Sequence, residues 1–261
     1  MVFGHWCRKH PGLIKEIKQQ QRPVCTLRPF TKRSNAAQGM SLILNIDTSG
    51  PEAHISFAND GRVSKFLANE TQKDHASFLQ SAIAELSESC GIELKSIDAI
   101  AVTAGPGSYT GLRVGFASAK GLCYALHKPL IALNTLEVLT ASARISNNGY
   151  EGLFCPMIDA RRMEVFTAMY DTGLNPYLSP RPLILNEMSF EKELSVNQVL
   201  FFGSGSAKWK AVCNHPRASF AEAGIVPAGM SWLSNKFEKE KRFTDLAYSE
   251  PFYLKEFQIL T

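Results

Sequence analysis

Residues 98–133 constrain this chain most. Asp98-Ala-Ile-Ala-Val-Thr-Ala104 is short, apolar and partly β-branched, the pattern of a strand buried on both faces. Gly105-Pro106-Gly107 stops that strand in a tight turn, a stretch of helical length runs to His127, and Pro129-Leu-Ile-Ala-Leu133 reads as a second buried strand. Strand, glycine loop, helix and strand form a βαβ unit. Such a unit puts a ligand or partner where the loop meets the helix N-terminus.

The loop fails the phosphate motifs it superficially resembles. Gly105-Pro-Gly107-Ser-Tyr-Thr110-Gly111 has no Lys at the Walker spacing, and Thr110 stands where the dinucleotide fingerprint needs its third glycine. Ser108 directly follows Gly107, which breaks the Gly-x-Ser-x-Gly nucleophile elbow. The loop is therefore a backbone device. In the helix behind it, Gly111, Gly115, Ala119 and Cys123 recur every fourth residue, and Gly121 adds another glycine. An interior glycine costs a helix about 0.8–1 kcal/mol relative to Ala, a cost that fits close approach of another backbone. The approaching element is either the chain's own sheet and the helix at 75–90, or a second protein.

The preceding segment is a strand, Ser41-Leu-Ile-Leu-Asn-Ile46, ending in Asp47-Thr48-Ser49, and Asn59-Asp60-Gly61 is a hairpin signal joining the next two strands. The Asp-Thr-Ser turn has two readings: a phosphate-facing turn whose Asp orients Mg²⁺ through water, or an ordinary turn closed by its own Asx side chain. A helix follows over 74–90, with Phe78, Leu79, Ala82, Ile83 and Leu86 on one stripe and Gly91 as its stop. His75 in its first turn has no ligand-forming residue at i+3 or i+4, so it reads as a capping or interface histidine. A further helix runs to Ala143 from an N-cap at Asn134 or Thr135. Beyond it come a hairpin through Asp159-Ala160-Arg161-Arg162, a strand 198–202 and the turn Gly203-Ser-Gly-Ser206. Residues 40–148 and 149–261 are the expected subdomains.

Charge is divided unevenly. Residues 1–39 hold eight Lys or Arg and one Glu; removing these from the totals of 28 and 24 leaves 20 basic and 23 acidic residues from Met40 onward, a net of −3. The basic leader has no strong period and reads as disordered; it is open to three readings, an organelle transit peptide, an RNA-binding tail, or sequence upstream of a natural start at Met40. A body at −3 lacks the surplus of a dominant RNA-binding surface. No apolar run approaches the ~20 residues of a membrane span. The six cysteines show no metal spacing and read as buried thiols in a reducing, cytoplasmic setting.

Six stretches together resemble the TsaB (YeaZ) family: Ile46-Asp47-Thr48-Ser49, His75-Ala-Ser-Phe-Leu79, the loop from Gly105 to Gly115, Ala119-Lys-Gly121, Ile158-Asp-Ala-Arg161 and Pro251-Phe-Tyr-Leu-Lys255. The resemblance covers Met40 to about Lys255. It implies an α/β protein of the actin/hexokinase/Hsp70-like ATPase fold, with two subdomains each built on a β-sheet flanked by helices. It also implies a bacterial complex with TsaD and TsaE that places threonylcarbamoyl on N6 of adenosine 37 in tRNAs reading ANN codons. In TsaD the strand after the glycine loop leads into Asn-His-x-x-x-His, which binds metal. Here the run is Asn134-Thr135-Leu136-Glu137-Val138-Leu139. Leu cannot ligate, and a lone Thr hydroxyl is a poor transition-metal ligand.

The expectation is therefore a non-catalytic dimerisation subunit. It pairs with TsaD, assembles with TsaE, forms a homodimer when alone, meets tRNA only through the complex and requires no cofactor, with ATP or ADP entering the complex. Its expected partner surface is His75, Phe78, Leu79, Gly111, Arg113, Gly115, Ala119 and Cys123, and its expected nucleotide contacts are Asp47, Thr48 and Ser49. The alternative is a stand-alone ATP-dependent enzyme or a glycoprotease-like peptidase, for which no Ser/His/Asp constellation is visible.

Overall fold

The computed structural model describes residues 40–69 and 75–255. The basic leader, and Asp74 at the expected start of the first helix, lie outside the described residues.

The first sheet is built from β1 (Leu42–Asp47), β2 (Ala53–Asn59), β3 (Arg62–Asn69), β4 (Ala99–Gly105) and β5 (Leu130–Asn134), in the order β3-β2-β1-β4-β5. β1, β2 and β3 form an antiparallel meander, and β4 and β5 add in parallel beside β1. The second sheet contains β6 (Leu153–Asp159), β7 (Glu164–Tyr170), β8 (Pro176–Ile184), β9 (Val199–Phe202) and β10 (Ala218–Phe220), ordered β10-β9-β6-β7-β8. Its first three strands are again an antiparallel meander, and its last two again lie parallel to the first. The two sheets thus repeat one topology. This is the actin/hexokinase/Hsp70-like ATPase fold, and the repeat is invisible as sequence similarity between the halves.

Side-chain alternation along the strands assigns the layers. Leu44, Ile46, Ile55 and Phe57 face α1 (His75–Cys90) and α2 (Tyr109–Leu126), joining Leu79, Ile83, Leu86 and Phe116 in one core. Ile43, Ala99, Ala101, Ile131 and Leu133 face the other way, onto Val138 and Ala141 of α3 (Thr135–Ser146) and Met230, Leu233 and Phe237 of α6 (Pro227–Lys239). The far side of α3 presents Leu139 and Ala143 to Phe154, Leu200 and Phe202 of the second sheet. The short helices α4 (Glu191–Leu194) and α5 (Ser206–Lys210) close the outer face of that sheet through Leu194 and Trp209. Each such large apolar side chain contributes roughly 1.5–3 kcal/mol when fully buried.

One boundary differs from expectation. The helix α6 packs on the first sheet rather than on the second. α6 opens with Pro at its first turn and approaches α3 so closely that a Cβ on Gly229 would overlap Ser142. The tail then follows β5 and α2: Thr244 N–H donates to Leu130 O at 2.8 Å, Lys120 Nζ donates to the carbonyls of Ala247 and Ser249, and Phe252 N–H donates to Ala104 O at 2.6 Å. No helix among the described residues is long and apolar enough to cross a membrane.

Candidate functional site

The ends of β1 and β4 and the start of α2 meet at the turn after Asp47. Asp47 is buried (1% exposed), and its Oδ1 accepts hydrogen bonds from the Ser49 amide (3.0 Å), the Ser49 hydroxyl (2.7 Å) and the Thr103 hydroxyl on the neighbouring strand (2.7 Å). Its Oδ2 lies 3.8 Å from Nδ1 of His54, the residue opposite it in the β1–β2 register, and His54 Nε2 lies 3.5 Å from Glu52 Oε2. The first distance is near enough for charge attraction and too long for a hydrogen bond. Burial opposes the charge on both partners. For Asp47 it is outweighed by His54 and by the Ser49 donors, which hold the carboxyl below its usual range. For His54 it is outweighed by the two carboxylates, which raise the imidazole to about 9. The turn is a buried anion with its own cation.

Thr48 and Ser49 share this inward orientation. Thr48 Oγ1 donates to Gly111 O at 2.7 Å, and Ser49 O accepts from the Ser108 amide at 2.7 Å. Both hydroxyls, the Ser49 amide and the Asp47 carboxylate, the groups expected to hold a nucleotide, are therefore taken up within the chain. The geometry is that of the ordinary Asx-closed turn. Ser108 also caps α2 by accepting from the Gly111 amide (3.3 Å), and Asn134 Oδ1 caps α3 by accepting from the Leu136 amide (2.9 Å).

The glycine stripe of α2 serves the same junction. A Cβ on Gly111 would overlap the Thr48 carbonyl oxygen, and one on Gly115 would overlap the Thr48 hydroxyl. Ala119 and Cys123 continue the stripe into the core, where burial pushes the Cys123 thiol up to about 12. The close approach these residues permit is to the chain's own first strand and turn. Six of the eight residues expected at a partner surface, His75, Leu79, Gly111, Gly115, Ala119 and Cys123, are thus buried inside the chain. Phe78 is half-buried. Arg113 is exposed, lies over the Tyr109 ring at 4.1 Å and donates to the Tyr253 hydroxyl at 3.4 Å.

The opposite side of α2 carries a second small-residue stripe: Ala117, Gly121 and Ala125 are all exposed, and a Cβ on Gly121 would meet nothing within 4 Å. Alongside, α1 exposes Ala76, Gln80, Ser81 and Ala84. Sequence reading passed over this stripe because the inner one is longer. It also missed His54, Glu52 and Thr103; the signal for His54 was a lone polar ring in an apolar strand, placed to pair with Asp47 once the strands fold back.

At the start of α3 stand Thr135 and Leu139, the two residues that the resemblance sets against the expected histidines. Thr135 is 2% exposed and Leu139 6% exposed, the latter packed against Phe154 and Phe202. Leu139 offers no ligand atom, and the buried Thr135 hydroxyl, without a hydrogen-bond partner among the described residues, is alone a poor ligand for a transition metal.

Comparison with known proteins supplies the context. A profile of TsaD, the tRNA N6-adenosine threonylcarbamoyltransferase, matches residues 66–176. The tRNA threonylcarbamoyladenosine biosynthesis protein TsaB of Bacillus subtilis (strain 168) is 30% identical over 225 residues, spanning 82% of this chain and 93% of that protein. The TsaB of Escherichia coli (strain K12) is 32% identical over 133 residues, covering 51% of this chain and 56% of that protein. The solved structure of YeaZ from Pseudomonas aeruginosa superposes with a TM-score of 0.70 at 24% identity, over 82% of this chain and all of that one.

Proposed function

Because the chain belongs to the TsaB family, we propose that it is a non-catalytic subunit of tRNA threonylcarbamoyladenosine biosynthesis, pairing with TsaD and supporting its transfer of threonylcarbamoyl to N6 of adenosine 37. One observation carries the non-catalytic part. Leu139 stands in the core where the transferase has a metal-binding histidine, with Thr135 one turn before it. The transfer chemistry belongs to TsaD, and TsaE joins the same assembly. This chain requires no nucleotide of its own, a reading supported by the internal hydrogen bonds of Asp47, Thr48 and Ser49.

The surface for TsaD is the outer face of α1 and α2, which lie side by side on the first sheet. Two helices approach most closely where small residues meet, and Ala117, Gly121 and Ala125 give α2 such a row on its exposed side. Alone, the same face pairs with a second copy. The discriminating variant is Gly121→Trp, because nothing in the chain opposes a side chain there. It is expected to keep the wild-type circular dichroism and melting temperature while losing capture of TsaD from a co-expressing lysate. Undiminished capture contradicts the assignment. Gly115→Leu does not serve, since it strikes Thr48 and damages the fold itself.

A further inference from the structure

The motif Ile158–Arg161 has no place in the surface just described, and its arginine opens the turn between β6 and β7. Arg161, Arg162 and Met163 form this turn and are all exposed, with Glu164 N–H donating to Arg161 O at 3.0 Å. Both arginines have left-handed backbone, φ 70° and φ 49°, a conformation that Gly or Asn takes with less strain. The turn therefore gains nothing in folding from arginine.

The neighbouring carboxylates are already occupied. Asp159 Oδ1 accepts from the Arg161 backbone amide at 2.6 Å and from Lys208 Nζ at 2.8 Å. Glu164 Oε2 lies 2.9 Å from Lys255 Nζ. Among the described residues, no acid pairs with either guanidinium. With Asp159 neutralised by Lys208 and Glu164 by Lys255, the tip carries the two arginine charges uncompensated, on a body whose overall balance is acidic.

We infer that the Arg161–Arg162 turn is a phosphate-contacting prong that grips the backbone of an RNA. A convex three-residue tip is too small to bury a stable protein interface. Two adjacent guanidiniums on it suit successive phosphates, which accept bidentate donation from arginine. The inference rests on the proposed role in tRNA modification and gives this chain a direct contact with that substrate.

The test uses the wild-type chain assembled with TsaD and the same assembly carrying Arg161→Asn with Arg162→Gly, residues suited to the left-handed turn. Binding of fluorescent tRNA is followed by anisotropy between 50 and 200 mM salt. Loss of two phosphate contacts is expected to weaken binding and to flatten the slope of log affinity against log salt by about 1.4–1.8. Arg161→Lys with Arg162→Lys, which keeps the charges, is expected to retain the wild-type slope. An assembled double variant with unchanged affinity and slope overturns the inference and leaves the functional reading standing. A double variant that loses TsaD instead makes the turn a protein contact and also overturns it. A wild-type chain that fails to capture TsaD overturns the functional reading and the prong with it.

Discussion

Two glycines on one helix have opposite roles, and their substitutions should have opposite signs. A methyl group at Gly115 runs into the Thr48 hydroxyl, whereas one at Gly121 projects into open space. Gly115→Ala is expected to destabilise by about 1–3 kcal/mol through overpacking, in spite of alanine's higher helix propensity. Gly121→Ala is expected to stabilise by up to about 1 kcal/mol. Urea midpoints of the two variants settle the point, and equal shifts contradict the assignment of inner and outer faces. The Asp47–His54 pair makes a pH prediction. His54 has an ordinary value of 6.5 and is held at about 9 in the fold by Asp47 and Glu52 against burial. Its stabilisation is therefore complete below pH 6.5 and lost as pH rises through 9, a loss of at most about 3 kcal/mol. Asp47, held below its usual 3.8, acts in the opposite sense: its contribution is present above that value and disappears on stronger acidification. His54→Gln should abolish the decline between pH 6.5 and 9. A denaturation midpoint that falls equally in wild type and variant assigns the decline to other groups.

At the scale of elements, what was legible in the sequence is what carries local signals. β4, the glycine loop, α2 and β5 were marked by apolar runs, Gly and Pro, and lie within two residues of their expected limits. The hairpin β2–β3 followed from Asp60-Gly61. What was missed lacked such signals. β8 is an edge strand with three prolines and no buried residue, so neither alternation nor an apolar run announces it. α6 buries Ser231 and Ser234 beside its apolar residues, and Gly229 sits in its first turn, which dilutes the helical period. The inner stripe of α2 was visible, but its partner was not, because periodicity says that a face is close-packed without saying against what. The placement of α6 has a direct consequence. Residues 40–148 alone leave Ile43, Ala101, Ile131 and Leu133 without Met230, Leu233 and Phe237. That fragment is expected to lack a cooperative thermal transition, while 40–255 melts in one step. A cooperative transition in the fragment contradicts the account of α6 as part of the first core.

At the scale of the whole molecule, the described residues form two sheets of one topology, with α3 packed against both and α6 on the first. In that frame the turn after β1 is closed on its own hydrogen bonds, and Leu139 is packed within the core. Facing outward are a row of small residues on α2 and an arginine-tipped hairpin, the features proposed above for assembly and substrate contact. The most direct measurement is tRNA threonylcarbamoylation reconstituted from purified components: this chain, TsaD, TsaE, threonylcarbamoyl-AMP, ATP and unmodified tRNA, with the modified nucleoside quantified by mass spectrometry. The account predicts no product from this chain without TsaD, and product from TsaD that rises sharply when this chain is added. Modified nucleoside formed by this chain in the absence of TsaD contradicts it.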